Sequence, residues 1–232
     1  IDVGSSGCKA VIVDEDCKTI ASSQRPTPTT VLSVAPGVTH VEVDIQKLQE
    51  SLAGLLRDLP APMRNDVASI GVAGQMHGMM FVDDDGAALS DFITWQDTRS
   101  TTVFAGRTAS LFDEATTILA PHRSATGGDL RAGMLGALLP FLKHAGALPG
   151  SRWIAASLPD YVVAWLTGTP VRCDPSNAAA TGIFDLAHHE WVAPFLDWCG
   201  IGAERLPPVV PFEPVVASLH KSRAAQQGLP RS

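Results

Sequence analysis

Cysteine is scarce. The 232 residues hold four, Cys8, Cys17, Cys173 and Cys199. None forms a CxxC pair and none stands at zinc-finger spacing from a histidine, which argues against a disulfide framework and the common structural zinc sites. Reduced, mostly structural thiols in a cytoplasmic protein are the expectation. Charged residues are also few, at 18%, low for a globular domain but no sign of disorder. Positive charge is outnumbered: the formal net charge is −7 and diffuse, which argues against a nucleic-acid partner. No window approaches the ~18 uninterrupted apolar residues of a membrane-spanning helix. No basic leader precedes an apolar run, so no secretory signal is expected. No repeat with a period of about 20–50 residues appears.

What is present is a chain of 232 residues that is 45% apolar. That is one large domain or two small ones, able to bury a core without metal or disulfide. Ile1-Asp2-Val3-Gly4 reads as the end of a strand whose beginning is missing. Gln227-Gly228-Leu229-Pro230-Arg231-Ser232 is a polar, turn-forming stop. The chain is therefore expected to be a piece of something longer.

Lys9–Val13 and Thr19–Gln24 are β-rich runs around the charged turn Asp14-Glu15-Asp16, a hairpin after the first strand. Pro26, Pro28, Pro36 and Gly37 are expected to mark a long loop. Asp44 caps a helix whose leucines, Leu48, Leu52, Leu55, Leu56 and Leu59, recur at helical spacing until Pro60. Strands are predicted over Val67–Ala73, Met79–Val82, Phe92–Thr94 and Trp153–Ala156. Helices are predicted over Ser100–Phe112, Met134–His144, Pro159–Leu166 (closed by Gly168) and Val192–Trp198. The order makes an α/β domain whose sheet is mixed, because the opening hairpin forces an antiparallel part. It is the order of a ribonuclease-H-like or actin-like core.

Four segments carry polar groups suited to chemistry. Asp2-Val3-Gly4-Ser5-Ser6-Gly7-Cys8-Lys9 sets a carboxylate at a strand end before a glycine- and hydroxyl-rich turn. Such a turn cradles phosphate oxygens, and the carboxylate suits a hydrated magnesium ion; a plain β-turn with a surface aspartate has the same composition. It is neither GxGxxG nor a P-loop. Gln75 and His77 interrupt the apolar run Ile70–Val82 at a strand end, where each suits a hydroxyl, or where His77 is simply a buried ring satisfied by backbone. Trp95-Gln96-Asp97-Thr98-Arg99 delivers an aromatic face, an amide, a carboxylate and a guanidinium. Asp97 there either accepts hydroxyl protons, with Arg99 fixing it as an ion pair, or caps a helix that leaves Arg99 at the surface. Asp174-Pro175-Ser176-Asn177 reads either as an Asx-type cap with no ligand role or as a segment whose Asn177 bonds a hydroxyl; Asp160 and Tyr161 carry the same two readings.

Together the segments resemble the FGGY carbohydrate kinases, specifically their first domain. Asp2 to Lys9 resembles the family's first phosphate motif. Gly74-Gln75-Met76-His77-Gly78 resembles the GQMHG signature of xylulokinases and sedoheptulokinases. Trp95 to Arg99 resembles the WxDxR segment, and Asp174-Pro175-Ser176-Asn177-Ala178 the D-x-x-N-A segment. In order they span residues 2–179.

The resemblance implies an ATP-dependent phosphotransferase acting on a primary hydroxyl of a ketose such as xylulose or sedoheptulose, with ATP and Mg2+. Glycerol is disfavoured, because glycerol kinases carry an Asn-Gln-Arg-Glu-like turn where this chain has Gln75-Met76-His77. The wording leans toward the sedoheptulokinase-like branch. It implies that residues 1–232 form the sugar-binding domain and that a second kinase domain in the same polypeptide holds most of ATP and the catalytic aspartate. The only Gly-Asp pair here, Gly128-Asp129, does not match that motif, so no general base is assigned and the chain alone is expected to be inactive. The implied site is Gln75, Met76, His77, Trp95 and Asp97 for sugar, Gly4, Ser5, Ser6 and Gly7 for phosphate, and Asp2 for magnesium through water. A cytoplasmic location, no membrane or nucleic-acid partner, and compatibility with a homodimer complete the expectation. A non-catalytic sugar-binding lobe or regulator is the alternative. A ribonuclease-H-like nuclease fits poorly, since only Asp2 sits persuasively at a strand end near such a core.

Overall fold

The computed structural model describes residues 1–211 and 217–220. Its strands are β1 (Asp2–Val3), β2 (Gly7–Val13), β3 (Thr19–Pro26), β4 (Thr29–Ala35), β5 (Val38–Val43), β6 (Ala73–Gly74), β7 (Met80–Val82), β8 (Phe92–Ile93), β9 (Ile154–Ala156), β10 (Phe184–Asp185) and β11 (Glu190–Trp191). Its α-helices are α1 (Ile45–Asp58), α2 (Ala61–Asn65), α3 (Leu111–Leu119), α4 (Leu135–His144), α5 (Leu158–Thr167), α6 (Pro175–Ala179) and α7 (Ala193–Cys199).

The sheet that matters for the site has the order β3-β2-β1-β6. β1 runs antiparallel to β2, with Asp2 opposite Lys9, and parallel to β6, with Val3 opposite Gly74. The sheet is mixed, as the opening hairpin requires. β1 and β6 end side by side in the same direction, so the turns that follow them, Gly4–Gly7 and Gln75–Gly78, leave the same end of the sheet. Ligands of α/β proteins gather at the carboxyl ends of strands for this reason.

α1 forms where the leucine spacing predicts it. The Asp44 side chain accepts from the Lys47 N–H, and Ile45, Leu48, Leu52, Leu55 and Leu56 are buried. Leu59 is already extended, since the following proline excludes the helical region for the residue before it. These side chains meet Val3, Cys8, Tyr161 and Trp165 in one core cluster. A second gathers Phe81, Leu138 and Phe195 from β7, α4 and α7, with Met79 just before β7.

Three expected elements differ. The proline-marked loop is a hairpin: β4 and β5 pair antiparallel, and Pro36-Gly37 is their turn, with Gly37 at φ +78°. Proline followed by a left-handed glycine is a type II turn signal, and the flanking residues are β-branched. The expected strand Val67–Ala73 reduces to Ala73–Gly74, because β1 supplies ladder partners only there. The expected helix Ser100–Phe112 is a 3-10 turn, Arg99–Thr101, then irregular chain, and α3 begins only at Leu111. Ser110 and Asp113 form the capping box that sets that start, and Gly106 at φ +82° breaks helical geometry before it.

Candidate functional site

The opening turn is tight. Gly4 N–H donates to the Gly7 carbonyl at 3.1 Å, and a Cβ on Gly4 would stand 2.9 Å from that oxygen, so only glycine fits. The Thr27 hydroxyl ties the turn to the end of β3 by donating to the Gly4 carbonyl at 2.7 Å. Among the described residues the Asp2 carboxylate has no hydrogen-bond partner, and Asp2 is exposed. An unengaged carboxylate beside a glycine turn suits a hard, hydrated cation.

Ser5 faces the other predicted segments. Its Oγ accepts from the Trp95 indole Nε1 at 2.9 Å and donates to Gln75 Oε1 at 3.5 Å. Gln75 is 7% exposed, and its Nε2 has no partner among the described residues. A buried amide donor without a partner is costly unless something else accepts from it. Met76 and Trp95 remain exposed, an apolar surface beside these polar groups.

His77 adopts φ +64°, a conformation uncommon outside glycine. Its Nδ1 lies 2.7 Å from the Ala180 carbonyl. A carbonyl only accepts, so Nδ1 carries the hydrogen, and the neutral ring offers Nε2 as an acceptor. Gly78, next along the chain, has φ +81°, and a Cβ there would collide with the Ile93 carbonyl at 2.4 Å. Gln75, Met76, His77 and Gly78 line a small crevice of about 10 Å³, room for one water or hydroxyl, with Ser157, Asn177, Ala180 and Thr181.

Asp97 lies elsewhere. It is wholly buried, and its oxygens are taken by Arg99 Nε at 2.9 Å, Arg99 Nη2 at 2.7 Å and the Val41 N–H at 2.8 Å. Arg99 also reaches Glu42 at 2.6 Å. The expected sugar contact is therefore not what this carboxylate offers. The expected ion pair with Arg99 forms, but with the Val41 N–H it occupies the carboxylate instead of presenting it to a ligand, and it pins the Trp95–Arg99 turn to β5.

The sequence did not single out Gly133, Ser157 or Thr181. Gly133 joins two of the segments: its carbonyl accepts from Gly78 N–H at 2.8 Å, and a Cβ on it would lie 2.1 Å from the Trp95 carbonyl. Nothing local marks it, since it serves a contact between distant turns. Ser157 was legible as a cap: it accepts from the Asp160 N–H at the start of α5. Asp160 itself is buried, and that burial raises its carboxyl to about 6, against the hydrogen bonds from Ser157, Cys173 and Asn177. Burial also pushes the Cys173 thiol up. All four cysteines are free.

Residues 1–126 and 150–232 match the FGGY family of carbohydrate kinases, N-terminal domain. The chain is 28% identical over 229 residues to a xylulose kinase of Bacillus subtilis, covering 99% of this chain and 44% of that protein. It is 28% identical over 233 residues to a human sedoheptulokinase, covering 90% of this chain and 46% of the relative. The chain thus spans less than half the length of these relatives. A crystal structure of a gluconate kinase from Lactobacillus acidophilus superposes with TM-score 0.83 at 23% identity, covering 99% of this chain and 45% of that one. That likeness shows the fold, a mixed α/β core of the ribonuclease-H-like, actin-like type. Among the described residues no helix is long and apolar enough to cross a membrane. The chain belongs to the FGGY family of carbohydrate kinases.

Proposed function

We propose that the protein transfers the γ-phosphoryl group of ATP to a primary hydroxyl of a ketose such as xylulose or sedoheptulose. Residues 1–232 form its sugar-binding domain, and a second kinase domain of the same polypeptide supplies most of the ATP site and the general base. The observation that carries this reading is the Ser5 hydroxyl. It belongs to the phosphate-type turn, yet it is bonded to Trp95 and Gln75 on the sugar side. A site that must align a hydroxyl with a phosphoryl group needs such a junction.

Gln75, Met76, His77 and Trp95 are assigned to the sugar. The Gln75 Nε2 donor and the His77 Nε2 acceptor meet hydroxyls, which do both, while Met76 and Trp95 wall the pocket. The backbone of Gly4, Ser5, Ser6 and Gly7 is assigned to phosphate oxygens. Asp2 would hold magnesium through water; when bound, the ion neutralises charge on the phosphate oxygens. ATP use and free thiols fit a cytoplasmic enzyme.

The test is a screen of the full-length protein with xylulose, sedoheptulose, gluconate and glycerol, reading ADP. Ketose-dependent ADP release is the expected result. Turnover of gluconate or glycerol alone would replace the ketose assignment. Sugar binding without ADP release from any of them would favour a non-catalytic lobe.

A further inference from the structure

Asn177 lies on α6, which Asp174 caps by accepting from the Ser176 and Asn177 N–H groups at 2.7 and 3.2 Å, both through Oδ1. The cap is complete without the Asn177 side chain, yet that side chain is held twice more. Its Nδ2 donates to Asp160 Oδ1 at 2.8 Å and to Asp174 Oδ2 at 2.9 Å. Asp160 is 6% exposed and is itself fixed by the Ser157 hydroxyl, which donates to Oδ2 at 2.7 Å.

A primary amide has two N–H donors and one carbonyl acceptor. Two carboxylates take both donors here, which fixes which end of the amide is oxygen and stops its rotation. Oδ1 is left as the one hydrogen-bonding group of the side chain without a partner among the described residues. Asn177 lines the same crevice as Gln75 and His77, whose volume of about 10 Å³ admits one hydroxyl and not a sugar ring. The unpartnered Gln75 Nε2, in a side chain 7% exposed, points independently to a polar ligand there. The His77 ring is oriented by the Ala180 carbonyl, just past the end of α6, so the segment that carries Asn177 also seats His77.

We propose that Asn177 is a specificity-determining residue of this crevice, accepting a hydrogen bond from one substrate hydroxyl through Oδ1, with Asp160 and Asp174 as positioning residues that never touch the substrate. The proposal rests on the carbohydrate-kinase reading above. A fixed acceptor selects a hydroxyl at one carbon over a deoxy carbon there, because the analogue leaves a partly buried polar atom unpaired.

The test is a cycle in the full-length protein. Asn177→Ala is crossed with a series of deoxy analogues of whichever panel carbohydrate gives ADP release. Asn177→Ala is expected to lower kcat/KM for that carbohydrate about 10- to 100-fold while the KM for ATP moves less than about twofold. For one deoxy analogue the same substitution is expected to cost no more than about twofold, because the interaction is already gone. A purely structural role would lower every analogue by the same factor, and that result overturns the proposal while leaving the kinase reading intact. No turnover of any panel carbohydrate by the unsubstituted protein overturns both. If circular dichroism shows that Asn177→Ala has lost its fold, Asn177→Ser, whose hydroxyl still donates to a carboxylate, replaces it in the cycle.

Discussion

Trp95 Nε1 donates to the Ser5 hydroxyl at 2.9 Å, across 90 residues of sequence. The bond closes a contact between the turn after β1 and the turn after β8, and Gln75 joins them from the turn after β6. Ser5→Ala removes one acceptor and one donor from that junction. A neutral hydrogen bond contributes about 1 kcal/mol, so stability should fall by roughly that amount and kcat/KM of the full-length enzyme by about 3- to 10-fold. Steady-state kinetics should show the KM for sugar and for ATP both moving. A change confined to one of them would break the assignment of Ser5 to the junction.

His77 needs a substitution that respects its backbone. At φ +64° asparagine is tolerated better than alanine, so His77→Asn removes the ring with little backbone strain. Sugar kcat/KM is expected to fall about 10- to 100-fold, with the KM for ATP within about twofold. Unchanged sugar kinetics would take His77 out of the site.

The Arg99 prediction concerns stability. Its guanidinium is 8% exposed and its partner Asp97 is fully buried, so Arg99→Met leaves an uncompensated buried carboxylate. Loss of about 3–5 kcal/mol in urea unfolding is expected. Arg99→Met combined with Asp97→Asn should be less damaging than Arg99→Met alone, since the pair acts as a unit. A loss under about 1 kcal/mol for the single change would contradict a buried ion pair.

Asp160 gives stability a pH dependence. Burial raises its folded-state carboxyl from 3.8 to about 6, so the folded protein holds a proton that the unfolded chain releases. Its contribution is fully present below about pH 4 and is lost as pH rises through about 6. The stability of the native protein relative to Asp160→Asn should therefore fall by up to about 3 kcal/mol between pH 4 and pH 7.5. Denaturant titrations at the two values check the sign. An equal difference at both would mean that the carboxyl titrates alike in the folded and unfolded chain.

Local chemistry explains what was legible in the chain. Asp44 and Asp174 cap helices by bonding N–H groups two or three residues on, and the leucines of α1 repeat with the period of the helix itself. The β4–β5 hairpin was equally local, in Pro36-Gly37 between β-branched runs, but two further prolines nearby made the stretch read as a loop. The short strands are another matter. β1, β6 and β8 are two residues each, and so short a piece of chain is a strand only because a neighbour completes its ladder.

The candidate site divides in the same way. The sequence by itself determined which side chains were candidates for chemistry: the glycine–serine turn, Gln75 to His77, Trp95 and the Asp174 to Asn177 segment, through their composition and order. The resemblance assigned Asp97 to the sugar, and nothing in the chain showed that Gly133 lies between two turns. Only the tertiary structure decided those points. Burial closed both oxygens of Asp97, the common end of β1 and β6 set Ser5 beside Gln75, and the turn after β8, from another sheet, brought Trp95 to Ser5. Residue type and short-range spacing set caps, turns and periodicity, whereas the partner of a buried polar group is fixed by packing between segments that the chain order leaves far apart.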